Sequence, residues 1–290
     1  MRVGTGGRRA TAAGGLGRRG GPNDVQLLFE YASEKFVYVV LLGEWSAIVR
    51  GVETTEKSED AKKPADAEKP ADLVYLAQPI QNIIASLGEL DAWVKPEALI
   101  TDAGSTKQAI VQRAAQVVFR AQFLGGHPMA GRERRGVEAA AADLFQGRPY
   151  VLTPRATSEL ETPAAREFLG WIPRIGSVPI ILSPEEHDRT VAFTSHLPQL
   201  ASTALAAMLD ARPEPHTGVF GPALVDSTRL ALSSFDIWGD ILDTNRHQIL
   251  VALECYIAKL QEFRDRFDAD VMRRHFDAAA HLAAQVRDRK

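Results

Sequence analysis

The run Gly125-Gly126-His127-Pro128-Met129-Ala130-Gly131 holds the residue best suited to chemistry in this chain. It follows the apolar pair Phe123-Leu124 and precedes a polar stretch from Arg132 to Glu138. Glycine has no Cβ, so the backbone beside the histidine can come close to a ligand. Imidazole titrates near neutrality and can take a proton from a substrate hydroxyl. A tight turn with a solvent-exposed histidine has the same composition, so the residues elsewhere in the chain must decide. Three further stretches carry chemistry: Thr101-Asp102-Ala103-Gly104-Ser105-Thr106-Lys107, His187-Asp188 with Ser195-His196-Leu197-Pro198, and Asp226-Ser227-Thr228-Arg229-Leu230-Ala231. The Arg229 guanidinium offers a bidentate fork for a carboxylate. Asp226 either orients Arg229 or pairs with it along a helix. Ser105 reads as a helix N-cap, and a capping site is also friendly to anions. His196 is either a substrate contact or a satisfied interior histidine.

These residues need elements to hold them. Phe36 to Leu42 reads as a buried strand, and Asp72 to Ala77 as a second that ends at Gln78-Pro79. Ile80, Ile83, Ile84 and Leu87 stand at helical spacing. Leu99 to Asp102 is a strand closed by Ala103-Gly104-Ser105, and Ile110 and Val111 belong to a following helix. Phe123-Leu124 starts a strand that leads into the histidine loop, and Tyr150 to Thr153 is another. Strands alternating with helices predict a parallel α/β sheet, whose ligands sit at the carboxyl ends of the strands. Gln78, Asp102 to Ser105 and His127 all fall at such ends.

Strand signals fade after Ile180-Ile181-Leu182, and Val191 to Leu209 is alanine-rich and helical. Apolar residues at three-to-four spacing from Asp240 to Phe267 predict one helix of about seven turns, facing both the core and a partner subunit. The expected division is an α/β domain over 1–153, irregular through residue 70, and a helical domain over 154–290. The run from Glu53 to Pro70 has no apolar period and reads as a solvated insertion.

At 290 residues the chain holds one large domain or two ordinary ones. A formal net charge of -3 gives no reason to expect nucleic acid or an acidic membrane as partner. The single cysteine, Cys255, excludes an intrachain disulfide and fits a reducing cytosol. No run reaches the roughly 18 apolar residues of a membrane helix. The Arg/Gly-rich start lacks the apolar core of a secretion signal. A cytoplasmic protein is expected. The histidines show no metal-ligand spacing, so no metal is expected.

Taken in order over roughly residues 71–260, the four stretches resemble the prephenate dehydrogenase family of tyrosine biosynthesis. The histidine run is followed by Glu133, Gly136-Val137-Glu138 and Asp143-Leu144-Phe145, and the arginine run by Trp238, Asp240-Ile241 and Asn245. The resemblance implies an α/β Rossmann-like domain, incomplete or distorted here, followed by an all-α dimerisation domain. It implies oxidative decarboxylation of prephenate to 4-hydroxyphenylpyruvate. A hydride passes from ring carbon 4 to NAD or NADP, with NAD favoured, and the ring carboxylate leaves as carbon dioxide. The protein must fix two carboxylates and remove the hydroxyl proton. By resemblance His127 accepts that proton, and Ser105 touches the same hydroxyl. Arg229, His196 and Asp226 bind the substrate, and Gln78, Pro79 and Asp102 lie by the cofactor. A homodimer through the C-terminal helices follows as well.

The cofactor end departs from the family pattern. Gly15-Leu16-Gly17-Arg18-Arg19-Gly20 has the glycine spacing of a pyrophosphate loop, so Gly15, Gly17 and Gly20 are its candidates. No apolar strand precedes it, and Arg18-Arg19 stand where a buried helix should begin. Glu44 is the candidate for a ribose contact. Three readings therefore stand beside the main one: an arogenate dehydrogenase, a non-catalytic dimeric binding protein with a defective cofactor domain, and another nicotinamide dehydrogenase acting on a hydroxy acid.

Overall fold

The computed structural model describes residues 36–41, 44–49, 71–92, 94–130, 143–212 and 219–288, the first two segments as backbone only. Gly15, Gly17, Gly20 and the charged run 53–70 lie outside the described residues, as does Arg132 to Glu138. The strands are β1 (Phe36–Leu41), β2 (Glu44–Val49), β3 (Ala71–Leu76), β4 (Val94–Asp102), β5 (Gln122–Pro128), β6 (Pro149–Thr153) and β7 (Val178–Ile181). They form one seven-stranded sheet in the order β2-β1-β3-β4-β5-β6-β7. Strands β1, β3, β4 and β5 are mutually parallel, which brings their carboxyl ends to one edge. Two pairings are antiparallel, β1 with β2 and β5 with β6, so alternation with helices did not make the whole sheet parallel. The sheet continues past Thr153, since β7 pairs with β6; the expected division at residue 153 falls between these two strands.

Strand residues alternate between two cores. Leu73, Tyr75, Leu99 and Leu124 face one side with Tyr150, Leu152, Phe168 and Trp171. Val74, Leu76, Ile100 and Phe123 face the other, against helices α1 (Ile80–Leu90) and α2 (Gln108–Val117). Burial on both faces is what an interior parallel sheet requires, and each fully buried large apolar side chain contributes about 1.5–3 kcal/mol. Helix α3 (Pro163–Arg174) starts where the Thr162 hydroxyl accepts from the Ala165 N–H at 3.2 Å and Pro163 needs no partner for a missing N–H.

The helical part comprises α4 (Pro184–Val191), α5 (Leu197–Asp210), α6 (Pro222–Thr228), α7 (Phe235–Thr244), α8 (Arg246–Asp265) and α9 (Ala269–Asp288). Two helices expected as continuous are interrupted. The alanine-rich one contains a π-turn, Ala192–His196, in which the Leu197 N–H reaches the Ala192 carbonyl. Pro198 cannot donate to the turn behind it, which favours this widened winding. The long apolar helix breaks at Asn245, whose backbone (φ -119, ψ 22) leaves the helical region. Its side chain is bonded to the Asp188 carbonyl and to His196. Ile241 on α7 and Ile249 and Ala252 on α8 join the sheet's core, tying the helical part to the α/β part.

Asp91 closes α1 and accepts three backbone N–H groups, from Phe119 (3.0 Å), Arg120 (2.9 Å) and Ala121 (2.8 Å). Burial acts to raise its pKa, but these bonds and the Arg120 charge outweigh it and hold the carboxyl below its usual value. Asp91→Ala is expected to cost about 1–3 kcal/mol in urea unfolding, because three backbone donors lose a charged acceptor. A depressed pKa gives stability that is present above the unfolded value near 4 and lost as pH falls through the folded value. The gap between wild type and variant should therefore shrink in acid. An equal gap at both pH values would show that the carboxylate charge is not what matters.

Candidate active site

His127 is not in a loop. Strand β5 runs on through Pro128, and His127 pairs opposite Val151 of β6. The first half of β5 pairs with β4 and the second half with β6, so His127 projects beyond the end of β4 while still held in a sheet. The flanking glycines make room for protein rather than for a ligand. A Cβ on Gly126 would lie 2.6 Å from the Asp102 carbonyl oxygen, and one on Gly125 would overlap the Thr153 hydroxyl.

Asp102 and Lys107, both wholly buried, form an ion pair beneath the histidine. Asp102 also accepts from the Gly104 N–H (2.8 Å) and the Gly126 N–H (3.2 Å). Lys107 donates to the Gly126 carbonyl at 2.7 Å. Both backbone polar groups of the residue before His127 are thus held by this pair. Asp102, expected beside the cofactor, builds the turn from below. Burial lowers the Lys107 pKa against the pull of Asp102 and Asp188.

Ser105 lies in this turn, half-buried, but it is not the helix cap. Helix α2 starts at Gln108 with Lys107 at the N-cap position. The N–H groups of Lys107 and Gln108 go instead to the Asp188 carboxylate, at 2.7 and 2.9 Å. A second helix of the α/β part is treated alike: at the start of α1 the Gln81 N–H donates to Asp240 of α7 at 3.0 Å. Carboxylates from the helical part thus satisfy N-terminal N–H groups of both α1 and α2, where the helix dipole favours negative charge.

Helix α4 opens with a reciprocal cap, in which Ser183 and Glu186 each bond the other's backbone N–H. That fixes the next two residues, His187 and Asp188, both fully buried. His187 Nε2 lies 2.8 Å from His127 Nδ1, and His187 Nδ1 lies 2.8 Å from Asp188 Oδ1. Asn245 Nδ2 donates to the Asp188 carbonyl at 2.8 Å and stands 3.3 Å from His196 Nδ1. The π-turn presents His196, which is 1% exposed and meets the Trp238 ring edge-on. His127, by contrast, is half-buried. Burial pushes the His127 pKa well below its ordinary value, with His187, Lys107 and His196 adding to the shift. Burial likewise lowers His187, opposed by Asp188, and brings His196 down to about 4. Burial thus favours the neutral form of all three imidazoles.

One bonded network thus joins His127 and His196, the expected base and an expected substrate contact. His187, Asp188 and Asn245 are the links between them. The adjacent His-Asp pair was visible in the sequence, but its partner in space was not. Arg229 and Asp226 are exposed and stand outside this network. Arg229 opens a 3₁₀ turn held on α5 by Gln199 Nε2 to the Leu230 carbonyl (2.8 Å). Gln78 accepts from the Ser86 hydroxyl at 3.2 Å, Pro79 precedes α1, and Glu44 opens β2 opposite Leu41. A cavity of about 500 Å³ lined by Asp72, Lys95, Arg120, Gln122 and Thr162 opens at the opposite, amino ends of the strands. Among the described residues no cluster could hold a metal ion, and no helix is long and apolar enough to cross a membrane.

Two family models match. The prephenate dehydrogenase nucleotide-binding domain covers residues 43–170, and the prephenate dehydrogenase dimerization domain covers residues 183–277. The glycine run at 15–20 precedes the matched stretch. A prephenate dehydrogenase of Bacillus subtilis is 34% identical over 214 residues, 71% of this chain and 57% of that protein. A cyclohexadienyl dehydrogenase of Zymomonas mobilis is 30% identical over 211 residues, 70% of this chain and 71% of that protein. The chain thus spans little more than half the length of the first and about seven-tenths of the second. The crystal structure of the Aquifex aeolicus prephenate dehydrogenase, in complex with hydroxyphenyl propionate and NAD+, superimposes with a TM-score of 0.61 at 27% identity, covering 75% of this chain and 74% of that one. The order of its motifs, its fold and these matches all agree: the chain belongs to the prephenate dehydrogenase family.

Proposed function

We propose that the chain oxidises prephenate with NAD, or NADP, releasing carbon dioxide and 4-hydroxyphenylpyruvate. The observation that carries this reading is a half-buried imidazole, His127, fixed at the carboxyl end of β5 beside the turn between β4 and α2. That edge, where β3, β4 and β5 all end, is where doubly wound sheets bind nucleotides. The residues after β3, Gln78 and Pro79, suit the nicotinamide half of the cofactor. Glu44, at the start of β2, suits its ribose, and Gly15, Gly17 and Gly20 its pyrophosphate. A bound nicotinamide supplies the hydride acceptor. His127 takes the proton of the ring hydroxyl, and the Ser105 hydroxyl bonds the same oxygen. His196 bonds a substrate carboxylate, and Arg229, oriented by Asp226, bonds another. Two copies pair through the C-terminal helices, on whose surface Tyr256, Ile257, Leu260, Phe276 and Leu282 are exposed. The setting is the cytoplasm.

Titration of the protein with NAD and with NADP, followed by prephenate and arogenate turnover read at the nicotinamide absorbance, tests this. Turnover of arogenate alone would change the substrate. Failure to bind either nucleotide would leave a prephenate-binding module without hydride chemistry.

The lowered His127 pKa gives a further expectation. A base is active when unprotonated, so activity is lost as pH falls through its folded pKa. For His127 that limb lies below the ordinary value of about 6.5. kcat/KM should therefore stay flat from neutral pH to below about 6.5, and an acid limb at or above that value would contradict the assignment. Stability shares the sign. Three imidazoles kept neutral in the fold bind protons more readily when unfolded, so the fold weakens as pH drops below about 6.5.

A further inference from the structure

We propose that Asp188 sets the proton positions on both site imidazoles, its carboxylate through His187 onto His127 and its carbonyl through Asn245 onto His196. The inference rests on the reading of this site as a prephenate site only for what the two rings then do.

The assignment follows from donors and acceptors. The Asp188 carboxylate accepts the N–H groups of Lys107 and Gln108, so it is an acceptor fixed in place. His187 Nδ1, 2.8 Å from Oδ1, must then carry a hydrogen. A neutral His187 has a bare Nε2, which accepts from His127 Nδ1 at 2.8 Å. His127 is thereby left with a bare Nε2, the form a base needs. The second branch starts at the Asp188 carbonyl, which can only accept and so turns the Asn245 amide with Nδ2 toward it. The remaining Nδ2 hydrogen faces His196 Nδ1, which must accept, placing the His196 proton on Nε2. One residue thus yields an acceptor ring for a hydroxyl and a donor ring for a carboxylate. Opposite tautomers on neighbouring neutral rings are what a substrate with one donor and one acceptor group needs. His187, Asp188 and Asn245 are positioning residues in this scheme. Indirect fixing of a ring by the partner of its other nitrogen is a general device for histidine.

The test is the imidazole ¹⁵N–¹H spectrum of the full chain at neutral pH, which reports the protonated nitrogen of each ring without needing substrate. The wild type should show His127 protonated on Nδ1 and His196 on Nε2. His187→Phe should release the His127 pattern and leave that of His196, while Asn245→Ala should do the reverse. His187→Gln should keep the His127 pattern, because its carbonyl can accept from His127 while its N–H₂ donates to Asp188. In turnover, His187→Phe should lower kcat on the order of 10²-fold with a smaller change in KM, and His187→Gln should recover most of it. A wild-type His127 protonated on Nε2, or a His127 pattern unmoved by His187→Phe, overturns the proposal. Should the phenylalanine variant not fold, the wild-type and His187→Gln spectra decide by themselves. An absence of prephenate turnover in the wild type would refute the function, while the spectra would still judge the proton positions.

Discussion

Replacing His127 by asparagine is expected to lower kcat by on the order of 10²–10⁴, the range that a positioned general base contributes. The asparagine amide nitrogen stands near the place of His127 Nδ1 and can still donate to His187 Nε2, so the network behind it survives. Only the outward nitrogen disappears. The strand should be undisturbed, since its pairing with β6 is made by backbone and the ring is half-buried. A Tm within about 4 °C of wild type is expected, the shift that about 1 kcal/mol produces. Substrate affinity should change far less than kcat, because the carboxylate contacts assigned to Arg229 and His196 remain. Single-turnover hydride transfer at saturating nucleotide, with binding measured separately by calorimetry, separates the two. Normal turnover in a folded His127→Asn protein would remove His127 from the reaction and leave no other half-exposed imidazole in this network to replace it.

The sequence made the parts of this site legible, and their connections less so. Short continuous apolar runs located β3, β4 and β6, and apolar residues at helical spacing located α1 and α2, because burial on both faces of a sheet and on one face of a helix writes itself into the local pattern. The antiparallel pairing of β5 with β6 left no such trace, since strand direction depends on a connection and not on alternation. The long helix expected over 240–267 breaks at Asn245 because that side chain is committed to Asp188 and His196, and a bond to residues some fifty positions away has no local signature. For the same reason the sequence does not say which residue His187 serves. Its capped helix start was written in Ser183-Pro184-Glu185-Glu186, but nothing in that run says that its imidazole meets His127. The cap alternative for Ser105 fails for a related reason, since the α2 donors are satisfied by a carboxylate from another element.

Lys107→Met is the second change with a large expected effect, and it acts through the fold. The pair with Asp102 is completely buried. Removing one partner leaves a charge with no counter-ion in the interior, which costs about 3–5 kcal/mol. Asp102 would keep the Gly104 and Gly126 N–H groups, which are too few to replace a cation. Asp102→Asn should cost a similar amount by stranding Lys107. The double variant Lys107→Met with Asp102→Asn strands no charge and should recover part of the loss, a non-additivity of about 1–3 kcal/mol that groups in direct contact show. Activity should follow a different order. The Gly126 carbonyl loses its donor in both proteins that lack Lys107, and that carbonyl belongs to the residue that aims His127. The double variant should therefore regain stability in urea unfolding without regaining kcat. If kcat returned along with stability, the pair would serve only to keep the turn folded, and the aim of His127 would have to come from its pairing with β6 and from His187 alone.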